Sequence, residues 1–243
     1  MSSQYDAHFF AAQQDGSIRS AKEIIPIVLR LLDVGSAADV GCGTGGWLAV
    51  CKEQGVREVL GIDGEYIDES MRHIAPDEFR SLDLSQPFDL GRTFDLVISL
   101  EVGEHLPEQA ARTYVDSLTK HGQVVLFSAA IPYQGGKHHV NEQWQSYWAE
   151  LFGSVGYAAV DCIRQLVWDN PNVQWWYAQN TIVYVKKSEL SRYPRLVAEY
   201  RRQPSLPLSV VHPKLYSLLA KDFFGDDGYQ DGMIVGRTFT PRM

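Results

Sequence analysis

The stretch Asp39-Val40-Gly41-Cys42-Gly43-Thr44-Gly45-Gly46 constrains the fold more than any other part of the chain. An apolar run, Ala37 to Val40, feeds into it, and a helical pattern, Trp47 to Gln54, follows it. Glycines so dense between a strand and a helix indicate a sharp turn whose backbone approaches a ligand closely, because only residues without Cβ adopt the required conformations freely. The segment also satisfies G-x-G-x-x-G, so a dinucleotide and a second nucleoside cofactor compete for it.

The rest of the chain repeats the alternation. Short apolar runs at Glu58 to Ile62, Phe79 to Leu82, Phe94 to Leu100 and Gln123 to Ser128 read as strands. Ser17 to Leu32 reads as a helix kinked or begun late at Pro26, and Pro107 to Lys120 as another. Asn141 to Val155 reads as an amphipathic helix, while Tyr157 to Val167 and Ala178 to Lys186 read as two further strands joined by an aromatic loop, Pro171 to Tyr177. Strands alternating with helices predict an α/β, Rossmann-like, mainly parallel sheet sandwiched by helices. Residues 1–187 are expected to form this domain with its N-terminal helix. Prolines 204, 207 and 213 break residues 188–243 into a C-terminal extension of a helix, a linker and a small terminal element.

Three acids narrow the cofactor. Asp39 precedes the first glycine, where a carboxylate repels pyrophosphate but attracts an ammonium. Asp63 ends the second strand, about 20 residues past the loop, where ribose hydroxyls find an acceptor. Asp83 follows the third strand between Leu82 and Leu84, either to accept from an adenine amine between two apolar walls or simply to form a turn. Cys42 reads as a small packing residue.

In order and spacing these pieces resemble class I S-adenosylmethionine-dependent methyltransferases over residues 17 to 186. The resemblance implies a seven-stranded sheet, S-adenosylmethionine as donor and S-adenosylhomocysteine as product. It also implies a cofactor site of Asp39, Gly41, Cys42, Gly43, Gly45, Trp47, Asp63, Gly64, Leu82, Asp83, Leu84, Glu101 and Val102. The last two open the segment Glu101-Val102-Gly103-Glu104-His105-Leu106-Pro107, which in that family packs beneath the cofactor. The run His139-Val140-Asn141-Glu142-Gln143 with Ser146-Tyr147-Trp148 resembles a bacterial subgroup associated with glycan and secondary-metabolite synthesis.

The acceptor side is expected on the loop after the fifth strand, with Tyr133, His138, Glu142 and Trp144 as substrate contacts. A hydroxyl acceptor needs a base near neutral pKa, for which histidine is suited. His139 is the first candidate and His105 the second, although His105 at a helix start also suits a structural role. A metal on His138, His139 and Glu142 is weighed and set aside, since no spaced ligand motif supports it; no metal is expected. The aromatics Trp168, Trp175, Trp176 and Tyr177 suit either core or subunit packing or the stacking of a sugar.

Bulk properties limit partners. A net charge of −8 argues against nucleic acid, with Arg192, Arg195, Arg201 and Arg202 the one local basic cluster. Nothing resembles a signal peptide or a membrane span of about 18 apolar residues. Three cysteines without CxxC spacing fit a reducing cytoplasm. The expected partner is a sugar or small-molecule acceptor, with a homodimer possible. An NAD-dependent oxidoreductase, an N- or C-methyltransferase and a non-catalytic cofactor-binding module are the competing readings.

Overall fold

The computed structural model describes residues 3–66, 68–203, 208–224, 229–230 and 233–234. Seven strands form one sheet: β1 (Ser36–Val40), β2 (Glu58–Asp63), β3 (Phe79–Ser81), β4 (Leu96–Leu100), β5 (Val124–Ser128), β6 (Tyr157–Val160) and β7 (Ile182–Lys186). Their order is β3-β2-β1-β4-β5-β7-β6, parallel except for β7, which runs against both neighbours. The chain leaves β1 toward β2 on one side, and β4 lies on the other. The loops after β1 and β4 therefore diverge, opening a crevice at the carboxyl ends of the strands.

Both sheet faces are buried over the central strands, so β4 and β5 are buried at every position rather than alternating with exposed residues. Leu96, Ile98, Leu126, Val183 and Val185 face one layer with Ile24, Ile25 and Val28 of α1 (Ser3–Leu31) and Leu48 and Cys51 of α2 (Gly46–Glu53). Val97, Val125, Phe127 and Tyr184 face the other, with Tyr114, Val115 and Leu118 of α3 (Ala111–His121) and Trp148 and Phe152 of α4 (Gln145–Ser154). In that second layer Phe152 stacks on Tyr184 at 3.9 Å, and Phe127 meets Trp148 at 5.0 Å. The far edge of the Trp148 indole lies under Gly103, where a Cβ would come within 2.8 Å, so this ring supports the turn that follows β4.

Several expected boundaries move. The first helix starts at Ser3 and carries Pro26 within it. The helix expected from Asn141 begins at Gln145, because the preceding amides are already used. Val140 and Asn141 donate to the Glu104 carbonyl at 2.9 and 3.0 Å, and Gln143 to that of Ala130 at 3.1 Å. The strand expected from Tyr157 to Val167 stops at Val160, and Arg164–Val167 form the short helix α5. Buried Arg164 pairs with Asp161 at 2.6 Å and donates to the carbonyls of Gln179 and Leu208. The aromatic loop ends in a helix, α6 (Trp175–Asn180), so the last strand starts at Ile182 instead of Ala178. Tyr177 is buried, while Trp168, Trp175 and Trp176 are half-buried.

Beyond the sheet lie α7 (Pro194–Arg202), α8 (Pro213–Phe224) and a two-residue strand pair, β8 (Tyr229–Gln230) with β9 (Met233–Ile234). Leu196 of α7 is fully buried in the first layer. Arg192, Arg195 and Arg202 are paired with Glu189, Asp33 and Glu199. No helix among the described residues is long and apolar enough to cross a membrane. Replacing Trp148 by Ala is expected to cost about 3–5 kcal/mol of stability in chemical denaturation; a loss below about 1 kcal/mol would show that the ring does not anchor this layer.

Candidate active site

The glycine loop wraps the end of β1. Gly41, Gly43 and Gly45 have φ of 85°, 53° and 80°, values that side chains with Cβ rarely tolerate. Gly41 and Cys42 both donate to the Ile62 carbonyl, at 2.7 and 3.1 Å, tying the loop to β2. Above Gly43 a Cβ would meet nothing within 4 Å, so the backbone there faces open space. Val102 fills the opposite side, within 2.2 Å of where a Gly41 Cβ would stand.

Two carboxylates flank this loop. Asp63 is buried at the end of β2 and clamps it: Oδ2 accepts from the Gly43 amide and Oδ1 from the Gly64 amide, each at 2.7 Å. The Tyr66 hydroxyl also donates to Oδ1, yet its ring is 78% exposed, so a competing hydroxyl could take its place readily. Asp39 is buried in the neighbouring strand, and its Oδ2 has no hydrogen-bond partner. Burial, and then the charge of Asp63, hold the Asp39 carboxyl well above the usual carboxylate range. A buried carboxylate with one oxygen unpartnered, beside half-buried glycine backbone, is a counterpart suited to an amino-acid ammonium.

Cys42 and Trp47 lie in the core. Burial pushes the Cys42 thiol up, which suits packing and not nucleophilic chemistry. The Trp47 indole donates to Ser17 Oγ at 2.9 Å and meets Tyr177 edge-on at 5.2 Å, bracing α1 against α6. Asp83 is exposed and its Oδ1 accepts from the Ser85 amide and hydroxyl at 2.9 and 2.6 Å, which is a turn former's bonding. Leu82 and Leu84 are half-buried against the second core layer.

After β4, Glu101 adopts a φ of 55°, held by its amide donating to the Ser128 carbonyl at 3.0 Å. Its carboxylate accepts from Gln134 Nε2 at 2.8 Å and Asn180 Nδ2 at 3.2 Å. Asn180 and Gln179 both donate to Gln134 Oε1, and Gln145 reaches Asn180 Oδ1 at 3.4 Å. This amide network is absent from the expected site residues. Its sequence signal is the pair Gln179-Asn180 just before an otherwise apolar strand, where buried polar groups demand partners.

Glu104 is fully buried, and neither of its oxygens has a hydrogen-bond partner. Burial and the nearby Glu101 carboxylate raise its pKa strongly; the amides of Glu104 and Ala130 oppose this more weakly, without closing hydrogen bonds. A ring nitrogen from each of His105 and His139 lies with a Glu104 oxygen, all three within 4.8 Å of one another. The two rings meet edge-on at 4.9 Å. His139 Nδ1 donates to Glu142 Oε1 at 2.9 Å, and that carboxylate also accepts from the amides of Gly135 and Tyr133. Because a carboxylate only accepts, His139 Nδ1 is the donor in this bond, and Nε2 stays outside it. His105 Nδ1 likewise faces the His138 carbonyl at 3.4 Å, and burial holds this imidazole below its ordinary pKa.

The loop thus joins His139, Glu142 and His105. His138 is exposed with a φ of 63°, Tyr133 is 78% exposed with a φ of 67°, and Trp144 is 41% exposed just ahead of α4. Those three project outward and do not touch the histidine pair through any observed side-chain bond.

A family model described as a methyltransferase domain matches residues 15–181, more than half of the chain. The chain belongs to the methyltransferase-domain family. It is an S-adenosylmethionine-dependent methyltransferase, and its loop, orphaned Asp39 and Asp63 clamp fit the amino-acid and ribose parts of that cofactor. No curated protein sequence matches it. Among solved structures, DesVI of Streptomyces venezuelae is similar at 17% identity and a TM-score of 0.55, over 74% of this chain and 96% of that one. The sugar N-methyltransferase KedS8 of a Streptoalloteichus species is similar at 15% and 0.54, over 75% and 92%. The amino pentose methyltransferase CalS10 of Micromonospora echinaspora, which acts in calicheamicin biosynthesis, is similar at 16% and 0.53, over 76% and 98%. At these identities the likeness is one of fold.

Replacing Asp63 by Ala in this methyltransferase should weaken S-adenosylhomocysteine binding at least ten-fold by calorimetry, since the Gly43 and Gly64 amides lose their acceptor and the expected ribose acceptor goes with it. Unchanged affinity would remove Asp63 from the cofactor site.

Proposed function

We propose that this methyltransferase modifies a hydroxyl of a sugar or other small molecule, and that His139 activates that hydroxyl. The observation that carries the reading is the His139–Glu142 pair. It fixes the imidazole through Nδ1 and leaves Nε2 outside that bond, on the loop after β5, next to the segment after β4. Bound S-adenosylmethionine supplies an electrophilic methyl on a sulfonium. The chain's own work is to fix the methionine ammonium with Asp39, the ribose with Asp63, and the acceptor oxygen in line with the methyl. Among the chain's own groups, His139 Nε2 is the base for the hydroxyl proton, with His105 beside it.

The adenine rests, in this reading, between Leu82 and Leu84 near Asp83, and Val102 and Gly64 complete the pocket walls. Tyr133, His138 and Trp144 offer exposed surface to a sugar-sized acceptor. Two of the structural neighbours carry sugar-modifying names, which supports that size class. One is named an amino pentose methyltransferase and the other a sugar N-methyltransferase, so nitrogen is the second reading; a pair of imidazoles favours oxygen, because an amine acceptor is already nucleophilic when neutral and needs no base. Three free, buried cysteines support a reducing, cytoplasmic setting.

Transfer of labelled methyl to a panel of nucleotide-activated hydroxy- and amino-sugars and phenols tests the proposal. Replacing His139 by Ala is expected to lower turnover by about two orders of magnitude while sparing S-adenosylhomocysteine affinity. Full turnover in that variant at neutral pH would refute the role.

A further inference from the structure

The histidine pair and Glu104 have a feature that a base alone does not explain. Three side chains converge within 4.8 Å, and neither Glu104 oxygen closes a hydrogen bond to either histidine. Glu104 is fully buried with both oxygens unpartnered, and a second carboxylate, Glu101, is close enough to raise its pKa. His139 and His105 turn Nδ1 toward Glu142 and the His138 carbonyl, so Nε2 is the ring nitrogen each can offer to a ligand. A cation is one species that satisfies all three side chains at once.

We infer that Glu104, His105 and His139 form a binding site for a divalent metal ion of the kind that accepts mixed imidazole and carboxylate ligands, such as Mn²⁺ or Zn²⁺. Two imidazoles and one carboxylate are a common ligand set for such ions, with positions left open for water or substrate. Ligands on an octahedral ion with bonds near 2.1 Å stand about 3.0 Å apart when adjacent and about 4.2 Å when opposite. Side chains within 4.8 Å of one another therefore need to close by only about half an ångström to two ångströms, most of it available from rotation of the exposed His105. Glu142 plays the supporting part that carboxylates play behind metal-bound histidines: it fixes the ring of His139 and makes Nε2 more basic. The trio occupies two segments tied to each other by backbone bonds, since the Glu104 carbonyl accepts from Val140 and Asn141. The sequence hides the site because His139 lies 34 residues beyond His105, outside any compact ligand motif.

What the ion does rests on the proposed hydroxyl acceptor: at an open position it would bind that oxygen and lower its pKa, with His139 then serving as a ligand in place of a free base. The binding site itself does not rest on that reading.

The test is Mn²⁺ binding to the full chain after chelator treatment, followed by electron paramagnetic resonance. One tight site per chain is expected, with hyperfine coupling to imidazole nitrogen, and Zn²⁺ should displace the Mn²⁺. Glu104→Gln and His105→Ala should each weaken Mn²⁺ binding at least ten-fold while S-adenosylhomocysteine affinity stays as in the native chain. A chain that binds neither ion, or a bound Mn²⁺ without nitrogen coupling, would overturn the inference. So would Glu104→Gln binding Mn²⁺ as well as the native chain. If a variant loses S-adenosylhomocysteine binding through misfolding, the nitrogen coupling in the native chain still decides. Cofactor binding and methyl transfer are measured separately, so the proposed reaction and the metal site can each fail alone.

Discussion

The structure depends on holding two carboxylates, Asp39 and Asp63, on either side of one glycine loop. Each is buried, and burial together with the charge of Asp63 raises the cost of ionising Asp39. Asp63 offsets its burial with two backbone amides from Gly43 and Gly64 and the Tyr66 hydroxyl. Asp39 has no such relief at Oδ2. The free protein therefore carries an electrostatic debt at the end of β1 that an incoming cation can relieve. Binding energy is drawn from a defect already present, with little reorganisation.

The same logic recurs on the far side of the crevice, with a different outcome in each case. Glu101 is satisfied by Gln134 and Asn180, and the resulting amide network ties the segment after β4 to α6 and, through Gln179, to the amide of His212 in the C-terminal extension. Glu104, three residues on, is left without partners. Its burial is enforced by the turn Gly103–His105, whose glycine sits on the Trp148 ring. Core packing thus places an unpaired acid next to two histidines, a costly arrangement unless something positive completes it.

Much of this was readable from residue order. The alternation of apolar runs and helical patterns anticipates the mainly parallel sheet, and the glycines at 41, 43 and 45 take the left-handed conformations that their type suggests. Asp39 and Asp63 stand out because an acid at a strand end beside a glycine loop has few structural uses. The boundaries near Asn141, Val160 and Ala178 were not readable, because distant partners set them. The amides of Val140 to Gln143 are captured by Glu104 and Ala130, and Arg164 is drawn inward by Asp161 and two carbonyls. Local periodicity carries no trace of such contacts. The convergence of Glu104 with His139 is of this kind: two loops meet only once the sheet has formed. Asp83 shows the opposite error risk, since the same position serves a turn through Ser85 whatever else it does.

The most direct measurement is calorimetric titration of S-adenosylhomocysteine into the native chain and into Asp39→Asn between about pH 5 and pH 8. The ligand's ammonium favours ionised Asp39, whose pKa in the free protein is raised. Native affinity should therefore increase as pH rises through that raised pKa, as the free protein's proton is given up on binding. Asp39→Asn should bind more weakly and show none of that dependence. A native affinity independent of pH, matched by an unimpaired Asp39→Asn variant, would contradict the account.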